Sequence, residues 1–554
     1  MTSQPATQEP NLEGSPISSP NRRGATDPIY YYNHSKDEAT LDFKQDELVL
    51  SITRFGNICK LNRKRLVSAC VPFAEIVAVN VTQSGSNKTS SVLNRFRRDR
   101  IAVDRVADGA QNSDFNFSAR GDTVVINYLH RSQGNRNKWS VKTLSLTHED
   151  HGVIFKLAST LRRCMEAHEK KRPKRLLVFI NPYGGKGKAR EIFHRRVVPL
   201  FNLARISYEV IETERANHAH DLLLDMRGLF TDYDGVVCVG GDGMFNELFN
   251  GLIKRVANDN DVNYSDPDAQ IPKIDFRIGV IPGGSTDALV LSLHGAIDVE
   301  TAALHIILGD RRAIDVNSVF SDGVLKRYSM TMVSYGYFGD VLSTSERFRY
   351  LGPKRYDLSG ADTFLRNKGY EGIIGFVKAN DRATDPENLE LCTDECDCRE
   401  EPAHVSPTVS PRSAVRNRVE GRFVVVTGAC TTCSCEKTPR GVSPGAHLSD
   451  GNLDLILVRH SSRLNLAKYL LRTSLLHQSP FDLPFVEVHR VKEFSFTHFG
   501  SEVTESKVSL QNAENEDDTS IWNCDGEILD SPNIHVKAHH QLVAVFGRGP
   551  EKEK

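Results

Sequence analysis

Residues 238–247 have the sequence Cys-Val-Gly-Gly-Asp-Gly-Met-Phe-Asn-Glu, and this stretch points to the fold class. The apolar residues 235–239 precede the glycines in the manner of a buried strand, and apolar side chains recur after them at helical spacing. Such a turn binds anions, because glycines let the backbone approach a phosphate and a helix start presents free N–H groups. Asp242 would repel phosphate, so we interpret it as a residue for proton abstraction or metal positioning.

Two further segments repeat this pattern. Residues 175–180 are an apolar run that leads into Asn-Pro-Tyr-Gly-Gly-Lys, and residues 276–281 lead into Pro-Gly-Gly-Ser-Thr-Asp. One such turn is often structural only, but three of them gather at the carboxyl edge of an open α/β sheet, where nucleotides bind. The chain contains neither a Walker P-loop nor a Gly-x-Gly-x-x-Gly turn after its first strand.

The composition narrows the class of protein. A net charge of −1 over 554 residues argues against bulk binding to nucleic acid, so we expect no nucleic-acid partner. The N-terminus lacks a signal-peptide pattern, and no apolar run approaches the ~18 residues of a membrane span. Eleven cysteines, an odd number, fit reduced thiols. We therefore expect a cytoplasmic protein that is soluble or peripheral at membranes.

The sequence pattern divides the chain into four parts. Residues 1–34 read as a disordered tail, and residues 35–168 read as short alternating strands closed by one amphipathic helix. Strands then alternate with helices over residues 173–312, which predicts an α/β nucleotide-binding lobe. Residues 313–550 are strand-rich, with disordered inserts near 380–418 and 501–519.

The three glycine motifs carry a resemblance. Asn-Pro-x-Gly-Gly, Gly-Gly-Asp-Gly and Pro-Gly-Gly-Ser-Thr-Asp, in this order and spacing, resemble the lipid kinases related to diacylglycerol kinase and sphingosine kinase. Further blocks at residues 334–340, 439–444, 485–492 and 520–527 resemble the ceramide kinases. The resemblance implies a multidomain protein: a pleckstrin-homology-like β-rich module, an α/β nucleotide lobe and a β-sandwich lobe that binds lipid.

The resemblance also implies a reaction. It is the ATP-dependent phosphorylation of the primary hydroxyl of ceramide to ceramide 1-phosphate at a membrane surface, with Mg²⁺ and with Ca²⁺ as a candidate stimulator. Asp242 is then the base toward that hydroxyl, and Gly240, Gly241, Gly243 and Asp340 join it in binding the lipid head group. An ordinary Asp has a pKa of ~3.9, so Asp242 with that pKa would be a weak general base.

The predicted nucleotide site draws on six places in the chain. The glycine turns and the helix after the second turn contribute Asn181, Pro182, Gly184, Gly185, Lys186, Gly240, Gly241, Gly243, Glu247, Gly284, Ser285 and Thr286. The resemblance adds Thr213, Glu214, Arg215, Asn217, Glu346, Arg349, Arg355, Asp525, Gly526 and Glu527. Simpler structural roles remain open: helix caps at Ser285 or Thr286, an exposed helical Glu247, and a hairpin turn at Asp525-Gly526.

Partners and rival functions follow from the remaining patterns. The arginine cluster within residues 95–100 fits either contact with anionic lipid at a Golgi or plasma membrane or a solvated loop. Calmodulin is a candidate partner at residues 485–496, although strict alternation there favours a strand. The trios Cys392, Cys396, Cys398 and Cys430, Cys433, Cys435 suggest zinc, yet no regular four-ligand spacing is present. The rival functions are phosphorylation of sphingosine, diacylglycerol or monoacylglycerol, or a silent lipid-binding scaffold.

Overall fold

The computed structural model describes residues 30–32, 38–43, 47–54, 65–82, 121–185, 187–284, 287–379, 392–399, 416–435, 438–474, 479–499 and 519–552. The arginine cluster within residues 95–100 and the insert near 501–519 lie outside these residues, apart from residue 519.

The N-terminal part is one antiparallel sheet closed by a helix. Its strands are β1 (Tyr30–Tyr32), β2 (Glu38–Phe43), β3 (Glu47–Arg54), β4 (Arg65–Pro72), β5 (Ile76–Thr82), β6 (Asp122–Arg131) and β7 (Trp139–His148). They are ordered β4-β3-β2-β1-β7-β6-β5, and helix α1 (His151–Glu169) follows. The side chain of Asp150 caps α1 by accepting the Gly152 N–H at 2.7 Å. Because Tyr30–Tyr32 is a strand, the predicted tail over residues 1–34 is too long at its C-terminal end.

The nucleotide lobe has a parallel sheet with helices on both faces. Its strands are β8 (Arg175–Ile180), β9 (Ser207–Glu212), β10 (Gly235–Gly240) and β11 (Ile274–Pro282), in the order β9-β8-β10-β11. Its helices are α2 (Ala189–Ile192), α3 (Val198–Leu203), α4 (His218–Asp225), α5 (Leu229–Asp232), α6 (Asp242–Asp259), α7 (Ala288–His294) and α8 (Val299–Leu308). Val236 and Cys238 face one core while Val237 and Val239 face the other. Burial on both faces explains why the strands are continuous apolar runs.

The second lobe is strand-rich, as predicted. Its elements are β12 (Arg312–Ser321), β13 (Val324–Ser329), β14 (Met332–Gly336), α9 (Tyr337–Glu346), α10 (Arg355–Arg366), β15 (Tyr370–Lys378), β16 (Asn417–Ala429), β17 (Leu453–Arg459), α11 (Arg463–Ser474), β18 (Val486–His498), β19 (Trp522–Cys524), β20 (Glu527–Leu529) and β21 (Ile534–Val545). The predicted strand within residues 485–496 is confirmed as β18, which pairs with β15, β17 and β21.

One strand joins the sheets of the two lobes. Strand β21 pairs with β12 and β18 of the second lobe and, in parallel, with β11 of the nucleotide lobe.

A second difference from the predicted boundaries lies in the insert expected to be disordered near 380–418. Within it, residues 392–399 form a turn and a short 3₁₀ helix. Burial of the Cys392 side chain in the core fixes this segment.

The N-terminal sheet is joined to the nucleotide lobe through Trp139. This indole is 1% exposed and lies in the core built around α8. Its backbone N–H donates to Thr301 Oγ1 at 2.9 Å, and its Nε1 donates to Glu551 Oε1 at 3.1 Å. Glu551 also accepts from Arg131 Nε at 2.5 Å, so the C-terminal segment holds the sheet against the lobe.

No single helix among the described residues is long and apolar enough to span a bilayer. Within the same described residues, one pair of helices, Ala288–His294 and Val299–Leu308, bent by 52°, meets that length and apolarity when its two members are taken together.

The carboxylate of Glu551 is predicted to stabilise the fold. Glu551→Gln keeps the shape but removes the charge that faces Arg131 and Trp139, so the free energy of unfolding should fall by about 2 kcal/mol in urea titrations. Glu395→Gln is the matched control, because Glu395 is exposed and pairs with Lys552 at 3.5 Å on the surface. Equal stability of both variants would refute this role of Glu551.

Candidate active site

The three glycine turns meet at the carboxyl edge of the parallel sheet. Gly240 is in register with Pro282, and Val239 is in register with Ile180. Backbone hydrogen bonds continue past the strand ends, from Asn181 N–H to Val239 O at 3.2 Å and from Gly283 N–H to Gly240 O at 3.0 Å. The predicted convergence of these turns is therefore present in the structure.

Close backbone contact makes glycine necessary in the turns. A Cβ on Gly284 would lie 2.5 Å from the Gly241 Cα, and a Cβ on Gly241 would lie 2.9 Å from the Gly284 Cα. Gly185 has φ +58°, and a Cβ there would lie 2.3 Å from Gly283 O. Gly243, in contrast, has open space beside it at the start of α6. Lys186, Ser285 and Thr286 lie outside the described residues.

The side chain of Asn181 shapes the first turn. Its Oδ1 accepts hydrogen bonds from the N–H groups of Tyr183 and Gly184, both at 2.9 Å. Pro182 lies between Asn181 and Tyr183 in this turn. This local ring is an Asx turn, in which a short side chain fixes the backbone that follows it. The Asn181 side chain therefore fixes the backbone of the first turn.

Asp242 is the first residue of α6 and also holds the start of α7. Its Oδ2 accepts the Ala288 N–H at 3.1 Å, and its Oδ1 accepts the Leu289 N–H at 3.2 Å. Burial raises the pKa of Asp242 above its ordinary value, the two N–H groups oppose that rise, and the charge of Asp525 adds to it. The carboxyl is thus fixed in position, and its pKa lies above that of an exposed Asp.

Asp287 is a second acidic group beside Asp242, and the sequence did not predict a role for it. It is 6% exposed, has φ +51°, and its Oδ1 accepts the Gly284 N–H at 3.1 Å. Burial, and then the charge of Asp242, raises the pKa of Asp287 to about 7. Its place at the end of Pro-Gly-Gly-Ser-Thr-Asp was the signal that could have identified it.

The loop after β9 reaches the same edge. Thr213 is buried, and its N–H donates to Ile180 O at 2.9 Å, next to Asn181. Glu214 N–H donates to His218 Nδ1 at 3.1 Å, and Arg215 pairs with Asp221 at 2.7 Å. The predicted loop thus flanks the first glycine turn.

Glu247 is half-buried on α6 rather than an exposed helical residue. Burial raises its pKa, while the N–H groups of Asn217 and Ala219 at the start of α4 oppose the rise. The charge of Glu527 also raises it, which places the tip of the β19–β20 hairpin near α6. Glu247 therefore lies near two predicted parts of the site, the segment at Asn217 and the β19–β20 hairpin.

Asp525 has a structural role that the sequence did not predict. Its carboxylate accepts the N–H groups of Met330, Thr331 and Met332 at 2.8, 3.0 and 3.1 Å, and Asn246 Nδ2 at 3.0 Å. Asp525 and Gly526 both have positive φ, +51° and +87°, as in a two-residue hairpin turn. This carboxylate ties the hairpin to the second lobe and to α6.

Of the other predicted residues of the second lobe, Asp340 and Glu346 lie on α9, Arg355 begins α10, and Arg349 lies between these helices. Asp340 accepts from Tyr370 OH at 2.7 Å and from Ser520 Oγ at 2.5 Å, and burial raises its pKa. Glu346 Oε1 accepts from Arg355 Nη1 at 3.1 Å. The side chain of Arg349 lies outside the described residues.

Comparison with known proteins places the chain in a family. Residues 175–319 match the diacylglycerol kinase catalytic domain, and residues 331–553 match the ceramide kinase C-terminal domain. Human ceramide kinase is 39% identical over 451 residues, which cover 77% of this chain and 83% of the human protein. The chain belongs to the ceramide kinase family.

More distant relatives extend the comparison. Ceramide kinase 1 of Caenorhabditis elegans is 32% identical, with 77% of this chain and 75% of that protein covered. Sphingosine kinase 1 of Arabidopsis thaliana is 32% identical, with 65% and 69% covered. The family predicted from the glycine motifs is confirmed, and this member of the ceramide kinase family is a lipid kinase with ATP as cosubstrate. The first family match starts at β8 and contains all three glycine turns.

The raised pKa of Asp287 predicts a loss of stability as pH rises. Between the ordinary value of 3.8 and about 7, the folded carboxyl keeps a proton that the unfolded one has released. Folding then takes up a proton, so the free energy of unfolding falls with pH across this window. Asp287→Asn should reduce this fall, measured by urea unfolding at about pH 5 and about pH 7.5. An unchanged pH dependence, equal to that of the exposed control Asp275→Asn, would contradict it.

Proposed function

We propose that this protein transfers the γ-phosphoryl group of ATP to the primary hydroxyl of ceramide, giving ceramide 1-phosphate. The observation that carries the proposal is Asp242, held by two N–H groups where three glycine turns meet, in a chain of the ceramide kinase family. A silent scaffold is disfavoured, because both the turns and the carboxylate are in place.

The geometry suits phosphoryl transfer. This reaction needs the γ-phosphate positioned, its charge neutralised and the attacking hydroxyl oriented. Gly243 leaves open space beside the backbone at the start of α6. Helix α6, which spans Asp242–Asp259, directs the positive end of its dipole to the same place, where a phosphate would be stabilised. Asp242 accepts a hydrogen bond from the hydroxyl and takes its proton as the phosphoryl group moves. A raised pKa brings this base nearer to the operating pH.

Mg²⁺ fits beside the same carboxyls. The charge of Asp242 raises the pKa of Asp287 by repulsion, and a divalent cation would relieve that repulsion. Both side chains would therefore hold Mg²⁺ that enters with ATP, and the cation would supply charge neutralisation for the phosphates. Calcium stimulation stays a prediction, to be tested by adding Ca²⁺ to the same assay.

Sphingosine is the second candidate substrate. A sphingosine kinase of Arabidopsis thaliana matches 65% of this chain, and sphingosine also offers a primary hydroxyl. Asp340 is proposed to contact the lipid head group, because its carboxyl is positioned by Tyr370 and Ser520 at the start of α9. Diacylglycerol and monoacylglycerol are the remaining candidate substrates.

Asp242→Asn should abolish most of the activity. The asparagine keeps one oxygen for α7 but cannot take a proton, so turnover should fall by at least about 10²-fold. The assay uses labelled ATP with ceramide, sphingosine or diacylglycerol in mixed micelles containing Mg²⁺. Asp259→Asn is the matched control at the exposed end of the same helix, where Asp259 pairs with Arg255 at 2.7 Å.

Two outcomes would count against the proposal. Near-normal turnover of Asp242→Asn with ceramide would remove this carboxyl from the mechanism. Phosphorylation of sphingosine or diacylglycerol, with none of ceramide by the wild-type protein, would reassign the substrate.

We also propose that the enzyme works at the cytoplasmic surface of a Golgi or plasma membrane. The N-terminal sheet and α1 would form a pleckstrin-homology-like module whose arginines, within residues 95–100, attract anionic lipid. Exposed leucines on two neighbouring helices support membrane contact. Leu358 and Leu365 are seven residues apart on α10, Leu464 and Leu471 are seven apart on α11, and all four are at least 46% exposed. Arg463 Nε donates to Leu365 O at 2.9 Å, which joins the two helices.

The calmodulin hypothesis gains no support from this fold. The segment that would have to be a basic helix is strand β18, paired on both of its edges. Calmodulin therefore stays an untested prediction, which requires a conformation other than this one.

Leu365→Glu combined with Leu471→Glu should weaken sedimentation with liposomes. Each carboxylate would face lipid in place of an apolar side chain, so the bound fraction should fall several-fold. Val324→Glu is the control, because Val324 is 57% exposed at the β12–β13 hairpin and lies on neither helix. Changing the four arginines within residues 95–100 to serine tests the module separately, without removing Trp139 from the core. Unchanged binding of the leucine variant would refute the contribution of α10 and α11.

A further inference from the structure

Three cysteines and a histidine converge away from the glycine turns. Potential ligand atoms of Cys392, Cys396, Cys398 and His447 all lie within 4.8 Å of one another. Cys392 Sγ and Cys398 Sγ are 3.6 Å apart, and Cys396 Sγ is 3.2 Å from His447 Nδ1. All three cysteines are free thiols, and Cys392 is 4% exposed. The fourth residue comes from a different turn, so the cysteine spacing alone did not reveal it.

These distances match a tetrahedral zinc site. Zn–S bonds of ~2.3 Å place two sulfurs of a tetrahedron about 3.8 Å apart, and a sulfur and a nitrogen about 3.6 Å apart. Three sulfurs and one imidazole nitrogen are a common donor set for structural zinc, and four protein ligands leave no open position. A site of this kind supports folding rather than hydrolysis or Lewis-acid catalysis.

The surroundings of the cluster are suited to thiolates. Arg312 is 2% exposed, and its Nη2 donates to Cys392 Sγ at 2.8 Å and to Cys398 Sγ at 3.1 Å. The Leu448 N–H also donates to Cys392 Sγ, at 3.4 Å. A Zn²⁺ ion with three thiolates and a neutral imidazole has a net charge of about −1, which the buried guanidinium offsets.

We propose that Cys392, Cys396, Cys398 and His447 bind one structural Zn²⁺ ion. The three thiols release their protons to solvent when the metal binds, so zinc affinity should fall at low pH. The other cysteine trio does not form such a group in the described part of the chain. Cys433 Sγ donates to Thr431 O at 3.4 Å, and Cys435 Sγ lies 3.1 Å from Thr438 Oγ1.

The metal would anchor the C-terminal segment. Asp394, between two of the ligands, donates its N–H to Pro550 O at 2.8 Å and accepts the Lys552 N–H at 3.0 Å. Arg312 Nη1 donates to Thr393 O at 3.0 Å and to Arg548 O at 2.9 Å. Because Glu551 lies in this segment and contacts Trp139, loss of the metal should also loosen the N-terminal sheet.

The test measures metal in the full-length protein purified without chelator or affinity metal. Plasma mass spectrometry should find about one zinc ion per wild-type chain, and Cys398→Ser should lower this by at least about fivefold. Cys435→Ser should keep the wild-type content. His447→Cys, which replaces one ligand type with another, should also retain zinc. Cobalt substituted into the wild-type protein should show thiolate-to-metal charge-transfer absorption.

Three results would overturn the proposal. They are wild-type protein that takes up no zinc even when Zn²⁺ is supplied and the excess removed, a cobalt complex without thiolate absorption, and equal zinc in Cys398→Ser and Cys435→Ser. The wild-type measurements hold even if one variant fails to fold. A trypsin time course adds a structural readout, because zinc removal should speed cleavage near Arg548 and Lys552.

Discussion

The backbones of the second and third glycine turns touch, and the arrangement of the active site depends on that contact. With the Gly241 and Gly284 backbones this close, neither position has room for a side chain. The contact brings the starts of α6 and α7 together, so that Asp242 on one helix accepts the N–H groups of the other. It also places Asp287 beside Asp242. Burial raises the pKa of both carboxyls, and the charge of Asp242 adds to the rise at Asp287.

Much of the nucleotide lobe could be predicted because its signals are local. The strands β8, β10 and β11 are apolar runs, and a glycine-rich turn lies at the carboxyl end of each. The position of Asp242 followed from the same stretch. The bridging role of Asp525 could not be predicted, because its partners at Met330–Met332 are distant in the sequence. His447 was missed as a partner of the cysteines for the same reason.

The predictions that failed involve boundaries. The predicted disordered tail, which is rich in small and polar residues, included Tyr30–Tyr32. These residues form β1, which pairs with β2 and β7. An insert with acidic and polar composition contains residues 392–399, which are fixed by cysteine burial and by the C-terminal segment. Composition averages over many residues, whereas one buried side chain or one strand pairing decides whether a short segment is ordered.

Strand β21 has a mechanical consequence for substrate access. It is hydrogen-bonded to β11 on one side and to β12 and β18 in the other lobe. Rotating the lobes apart as rigid bodies would break these strand pairings. Each exposed backbone N–H and C=O group would then need a hydrogen bond to water. The two lobes therefore do not separate as rigid bodies. A motion that admits substrate has to involve elements outside these four strands, while β11 and the second lobe keep their relative position.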